Sequence, residues 1–281
     1  MRDLIDRFNA RDPNIAGPAA DELRRLTDDQ ISELVARLPE DMYTIKALVA
    51  LGDRAVPFLL ASAERAGISW DTANALTMIG ERRVIPLLVR ELHRPGSPKR
   101  EMAASCLGDL GAVEQIPELR AMLDDPDPAV ADEAAGSLGK LGDIESVAAI
   151  ARAAAASDAD QVQAIYGLSL LDHPIAHDQL LRLLEHLDEW VRLAAIRGLG
   201  RSGYRPAVGP LLAMAERADA EELDAILTAL AQLPDVAAIP LLEKAAREWN
   251  YPASPNPASP TLAELAIRAL AAIRTGERPQ D

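Results

Sequence analysis

Apolar residues recur along this chain as short runs behind a proline: Pro57-Phe58-Leu59-Leu60, Pro86-Leu87-Leu88, Pro117-Glu118-Leu119, Pro210-Leu211-Leu212 and Pro240-Leu241-Leu242. Filling the gap with Ala148 (before Ala149-Ile150) and Gln179 (before Leu180-Leu181) gives seven anchors at intervals of 29, 31, 31, 31, 31 and 30 residues. A proline is tolerated in the first turn of a helix, where its missing N–H leaves no bond unmade, so each anchor predicts the start of a helix A.

Each unit holds a second amphipathic stretch, helix B, in which apolar residues fall at i, i+4, i+7, i+8 and i+11, as in Val130, Ala134, Ser137, Leu138 and Leu141. That spacing is one face of an α-helix and not of a strand. Glycines at Gly80, Gly111, Gly142 and Gly203 stop these stretches, as does Pro234. Ser97-Pro98, Asp127-Pro128 and Ser259-Pro260 put a capping side chain ahead of a first-turn proline and predict B-helix starts. Thr27-Asp28-Asp29-Gln30 reads as a capping box ahead of a weaker pair that ends at Leu51-Gly52. The pattern predicts an all-α fold, an α-solenoid of seven to eight helix hairpins with a period of about 31 residues. Residues 1–54 form capping helices and a degenerate first repeat, 55–274 one continuous solenoid, and 275–281 a flexible tail. A Pro-rich stretch at 250–260 interrupts the last repeat and is expected to be an extended connection or a docking arm.

The stretch Val191-Arg192-x-x-Ala195-Ile196-x-x-Leu199-Gly200-x-x-Gly203, followed by an apolar first turn, resembles HEAT-like repeats, especially the short bacterial type of phycobilisome lyases and, more broadly, armadillo-like solenoids. The resemblance covers about four fifths of the chain. It implies a stack in which the B helices line a concave wall. Such repeats serve scaffolds, lyases, hydroxylases, glycosylases and inhibitors alike, so the fold does not by itself assign a function. One position departs from the family pattern. The Arg near the start of helix B appears only as Arg100 and Arg192, against Ser69, Ala131, Gln163, Leu223 and Ala263 elsewhere, so no continuous ladder of charged side chains between repeats is expected.

Composition narrows the function. Aromatics are 3% of the chain, which suits close helix packing and not a β-sandwich. The net charge is −15, and both halves are acidic: residues 1–140 carry 17 basic and 24 acidic groups, the remainder 12 and 20. Such a field repels a phosphate backbone and an anionic lipid surface, so no nucleic acid and no membrane are expected as partners. The amino terminus lacks a signal-like apolar run, and no stretch approaches the 18 or so apolar residues of a spanning helix, which predicts a cytoplasmic protein.

Little in the chain reads as catalytic chemistry. A metal-dependent hydroxylase of this fold would resemble its family through His-Glu pairs, but His93, His173, His177 and His186 are followed by Arg94, Pro174, Asp178 and Leu187. Pro174 also breaks the helical face that would bring His173 and His177 together, so these read as solvated loop and helix-end histidines. Cys106 aligns with Ala75 and Ser137 and reads as a small buried side chain. No cofactor, no metal and no catalytic residue are expected. The reading is a non-catalytic scaffold, adaptor or inhibitor that binds a protein partner of basic character and is itself a monomer or weak oligomer. A bilin-lyase-like subunit or small-ligand chaperone, implied by the resemblance, is the alternative.

Counting from the first apolar position of each B helix, the third and seventh positions are expected to face away from the core. They are Trp70 and Asn74, Glu101 and Ser105, Asp132 and Gly136, Ala164 and Leu168, Leu193 and Arg197, Asp224 and Thr228, Glu264 and Arg268. Of these, Trp70, Asn74, Glu101, Ser105, Asp132, Leu193, Arg197, Asp224 and Arg268 are the candidate binding residues.

Overall fold

The structure is a computed structural model that describes residues 1–38, 43–156, 162–249 and 261–275. The Pro-rich stretch 250–260, including the expected cap Ser259-Pro260, and the tail from 276 lie outside the described residues. Among the described residues the chain is all-α and contains no strand. It divides into two compact units, Met1–Leu119 and Arg120–Asp281.

The first unit contains α1 (Arg2–Phe8), α2 (Pro13–Leu23), α3 (Asp28–Ala36), α4 (Tyr43–Leu51), α5 (Val56–Ala66), α6 (Trp70–Ile79), α7 (Ile85–Leu92) and α8 (Arg100–Asp109). Helix α9 (Ile116–Met122) starts at its end. The second unit contains α10 (Pro128–Lys140), α11 (Val147–Ala155), α12 (Gln163–Ser169), α13 (Pro174–Leu183), α14 (Glu189–Ser202), α15 (Val208–Ala215), α16 (Ala220–Gln232), α17 (Ile239–Glu248) and α18 (Leu262–Thr275). Within it the B helices α10, α12, α14, α16 and α18 pack one on the next, with the A helices α11 and α13 stacked in a second row. In the first unit α4, α6 and α8 pack in the same succession. This is the layered stacking of an α-solenoid, in which a hairpin buries its apolar face only against its neighbours.

The repeating core is one leucine or isoleucine per A helix and one apolar residue per B helix. Leu59, Leu88, Leu119, Ile150, Leu180, Leu211 and Leu242 are all fully buried, as are Leu76, Leu107, Leu138, Leu168, Leu199 and Leu230. Each is worth about 2 kcal/mol of transfer free energy.

Most boundaries follow the local chemistry. Thr27 closes α3 with a full capping box, Thr27 N donating to Gln30 Oε1 at 2.8 Å and Gln30 N to Thr27 Oγ1 at 3.4 Å. Asp127 caps α10 as expected. Three starts differ from the sequence expectation. Helix α8 begins at Arg100, two residues after Pro98, because Ser97 accepts from Lys99 N and donates to Glu91 instead of capping. Helix α18 begins behind a Thr261–Glu264 capping box. Helix α13 begins at Pro174 behind His173, not at Gln179. The reason lies just upstream: six A helices (α5, α7, α9, α11, α15 and α17) are each entered through a three-residue 3-10 turn, whereas α13 has none. Its helix therefore starts earlier, while Leu180 still reaches the core.

Hydrogen bonds between successive repeats carry the period directly. Arg54 donates to Arg24 O, Lys99 to Ile68 O, Arg82 to Leu110 O and Glu114, Arg192 to Glu222, Arg201 to Ser169 and Arg217 to Glu185, all across 28 to 32 residues. Of the two arginines at the family position, Arg192 joins this set by donating to Glu222 at 2.7 Å, and Arg100 donates to Leu92 O. The links between repeats are thus supplied by residues scattered over several positions, which a search at one position does not find.

Candidate functional site

The third and seventh positions of the B helices separate into three groups. Trp70, Asn74, Arg197, Glu264 and Arg268 are exposed, and Glu101, Ser105, Asp224 and Thr228 are half-buried. Asp132 and Leu193, only 7% and 1% exposed, are buried, as are Gly136, Ala164 and Leu168. The expectation that Asp132, Gly136, Ala164, Leu168 and Leu193 face away from the core is therefore corrected.

The correction has a packing cause. A Cβ added to Gly139 would lie 2.3 Å from Gly167 Cα, and one added to Gly136 would lie 2.9 Å from Gln163. Backbone meets backbone between α10 and α12, and the helix neighbouring each row covers side chains that a looser stack would leave in water. Between α14 and α16 a Cβ at Gly200 would lie 2.8 Å from Ala229 Cα. Asp132 uses its burial: its Oδ2 accepts from Gln163 N at 2.9 Å and its Oδ1 from Ala164 N at 2.8 Å. These are orphan N–H groups at the start of α12, so the carboxylate is a helix cap reaching across from the preceding repeat.

In the first unit the exposed row is continuous along one helix. Trp70, Asn74 and Met78 stand at i, i+4 and i+8 on α6, with Trp70 49% and Met78 57% exposed. Among the described residues, those before position 68 leave about half of Trp70 exposed. On α8, which packs beside α6, the corresponding row is Glu101, Ser105 and Asp109. With Asp71 in the first turn of α6, the apolar stripe has an acidic border.

In the second unit the exposed row is polar. Arg197 and Arg201 of α14 and Asp224, Ala225, Thr228, Ala229 and Gln232 of α16 line a cleft of about 230 Å³. Arg201 lies over the ring of Tyr166, 4.8 Å from its centroid, and donates to Ser169 Oγ at 3.1 Å. Burial pushes the Asp224 carboxyl above its usual range, with Arg197 pulling the other way and Glu221 adding to the rise.

Met78, Arg201 and Gln232 were not among the sequence candidates, although the signal was there: each stands four residues, about one helical turn, beyond the last position counted on its helix, Asn74, Arg197 and Thr228. The histidines do not converge. His173 Nδ1 accepts from Ile175 N and His186 Nδ1 from Asp188 N, which places both at helix starts as expected. His177 is buried and not solvated, stacked on Tyr204 with ring centroids 4.1 Å apart. Cys106 is buried. Among the described residues no group of three or more His, Cys, Asp or Glu is placed to hold a metal ion, and no helix is long and apolar enough to cross a membrane.

The family model for HEAT repeats matches residues 91–171 and 177–253, more than half of the chain. The chain belongs to the HEAT repeat family. Among solved structures, this HEAT repeat protein is similar to Escherichia coli YibA, with 16% identity over 95% of this chain and 98% of that one and a TM-score of 0.59. That likeness is one of fold. The complex of CpcE and CpcF of phycocyanin lyase from Nostoc sp. PCC7120 matches with 21% identity, covering 97% of this chain and 92% of that one, at a TM-score of 0.42. Human deoxyhypusine hydroxylase in complex with glycerol matches with 18% identity, covering 83% and 95%, at a TM-score of 0.38. Comparison with curated proteins finds no match.

Proposed function

We propose that this HEAT repeat protein is a non-catalytic scaffold, adaptor or inhibitor that receives a protein partner on the exposed face of its B helices. The observation that carries the reading is the stripe Trp70, Asn74 and Met78 on α6. A half-exposed Trp beside a half-exposed Met has no core to fill, and such a pair is costly to leave in water unless a partner covers it. Trp is over-represented among the residues that dominate protein interfaces, and Met adapts to the shape set against it. The acidic border of Asp71, Glu101 and Asp109 favours a partner with basic groups around an apolar anchor.

A photo-crosslinking amino acid placed at Asn74, between the two apolar residues, tests the reading in the native host. The expected result is a discrete crosslinked protein species from Asn74 and none from Arg90, an exposed position on the A helix α7. Equal crosslinking from both positions, or none from Asn74, would overturn it.

A further inference from the structure

We propose that the cleft between α14 and α16 is a carboxylate-binding site, which takes an acidic side chain or the carboxyl terminus of a protein segment. Arg197 and Arg201 stand one turn apart on α14 and both line the cleft. Most arginines of this chain that reach a neighbouring repeat are paired with carboxylates, as Arg82, Arg192 and Arg217 are. Among the described residues Arg201 makes no ion pair, and Arg197 makes neither an ion pair nor a hydrogen bond.

Arg201 is also held in place. Its guanidinium carbon lies over the Tyr166 ring, one N–H donates to the Ser169 hydroxyl, and neither neighbour neutralises the charge. An arginine already held by two neighbours loses less rotamer freedom when a carboxylate arrives, and its fork matches a carboxylate's two oxygens. Across the cleft Thr228 and Gln232 bring neutral donors. A single half-buried acid, Asp224, opposes the arginines. It disfavours a dianion such as phosphate more than a monoanion, which selects carboxylate. The size agrees, since about 230 Å³ is below the roughly 300–1,000 Å³ of sites that enclose a drug-sized ligand or cofactor, and suits a side chain or chain end. The site is on the second unit and does not depend on the apolar stripe of the first.

The test uses fluorescence anisotropy of labelled hexapeptides on the full chain at physiological salt. Hexaglutamate with an amidated carboxyl terminus is expected to bind with a Kd of about 1 mM or tighter, and amidated hexaglutamine about tenfold more weakly or worse. Hexaglutamine with a free carboxyl terminus distinguishes the two sources: binding as tight as hexaglutamate assigns the site to a chain end, and weaker binding to acidic side chains. Arg197→Gln is the decisive variant, because among the described residues Arg197 makes no hydrogen bond or ion pair and its effect within the fold is the charge it sets against Asp224. It should weaken hexaglutamate about tenfold, the scale of one charged hydrogen bond, with an unchanged melting temperature. Arg201→Lys, which keeps the charge and loses the fork, should weaken it similarly. Asp224→Asn should tighten it about threefold by removing the opposing charge, an effect that a merely structural role for Asp224 does not produce. The proposal is overturned if hexaglutamate fails to bind, if amidated hexaglutamine binds as well, if Arg197→Gln leaves affinity unchanged, or if Asp224→Asn weakens it. None of these outcomes bears on crosslinking at Asn74.

Discussion

The carboxylate of Asp132 and the backbone N–H of Ala164 meet at 2.8 Å across the boundary between two repeats, so that a residue of one B helix caps the next. The helix it caps, α12, is only seven residues long, and its own N-cap residue, Val162, offers no side-chain acceptor. The preceding repeat supplies what the local sequence lacks. Asp132→Ala is therefore expected to cost about 2 kcal/mol, as for loss of a strong cap together with exposure of two unpaired donors. Asp132→Asn keeps one acceptor oxygen and should cost about half as much. Urea unfolding of the three proteins measures both, and equal stability of Asp132→Ala and wild type would remove the cap from the account.

Glycine substitutions should separate close packing from backbone conformation. Gly139→Ala sets a methyl against the backbone of Gly167, where no flexible side chain can move away, and should cost about 3 kcal/mol. Gly142 has φ +72° and open space around it, so Gly142→Ala should cost about 1 kcal/mol from the left-handed backbone alone. Gly209 has ordinary φ and nothing within 4 Å, so Gly209→Ala in α15 should be neutral or stabilise by about 0.5 kcal/mol. The order of the three melting temperatures checks the argument.

The same contacts show what was legible in the sequence. The period and the all-α class follow from proline anchors and apolar spacing, because both are local consequences of helix chemistry, and the stops at Gly80, Gly111, Gly142 and Gly203 coincide with left-handed backbone. Asp132 illustrates the limit. Its place in the helix predicts a solvated acid, and its burial depends on how near α12 comes. That distance is set by Gly136, Gly139 and Gly167 acting together across two repeats. Trp70 stays exposed, as its position predicts. Arg201 was legible in principle, since continuing the count by one helical turn reaches it. Its partners Tyr166 and Ser169 were not, being about one period away in the chain.

His177 should give the protein a pH-dependent stability. Burial pushes its imidazole below the ordinary value of about 6.5, while Asp172 and Asp178 oppose that shift and His173 adds to it. Above 6.5 the folded and unfolded chains both hold His177 neutral and its titration contributes nothing. As the pH falls through 6.5 the unfolded chain takes up a proton that the folded chain does not, so stability declines until the folded pKa is reached. His177→Phe keeps a ring against Tyr204 and removes the titration. Its unfolding free energy is expected to fall less steeply than that of wild type between about pH 6.5 and 5. Identical slopes in the two proteins would show that His177 titrates alike in both states.

Trp70 gives the most direct test of the proposed function, because stability and binding respond to it in opposite ways under the two roles it can have. Half of its surface is in contact with water, so truncation removes limited packing, and the Ser69 side chain that caps α6 by accepting from Thr72 N is left in place. Trp70→Ala is accordingly expected to change stability by less than about 1 kcal/mol, well short of the 3–5 kcal/mol for a buried Trp. If the stripe on α6 is the anchor, the same change should weaken the captured partner by about 2 kcal/mol or more, roughly thirtyfold in Kd. Met78→Ala, two turns along, should weaken it by a smaller amount, about 1 kcal/mol. Charge reversal at Glu101 should slow association chiefly at low salt, where an acidic border steers a basic partner over distance. A Trp70→Ala protein that melts several degrees lower and binds its partner as before would assign Trp70 to packing within the first unit and leave the B-helix face without its anchor.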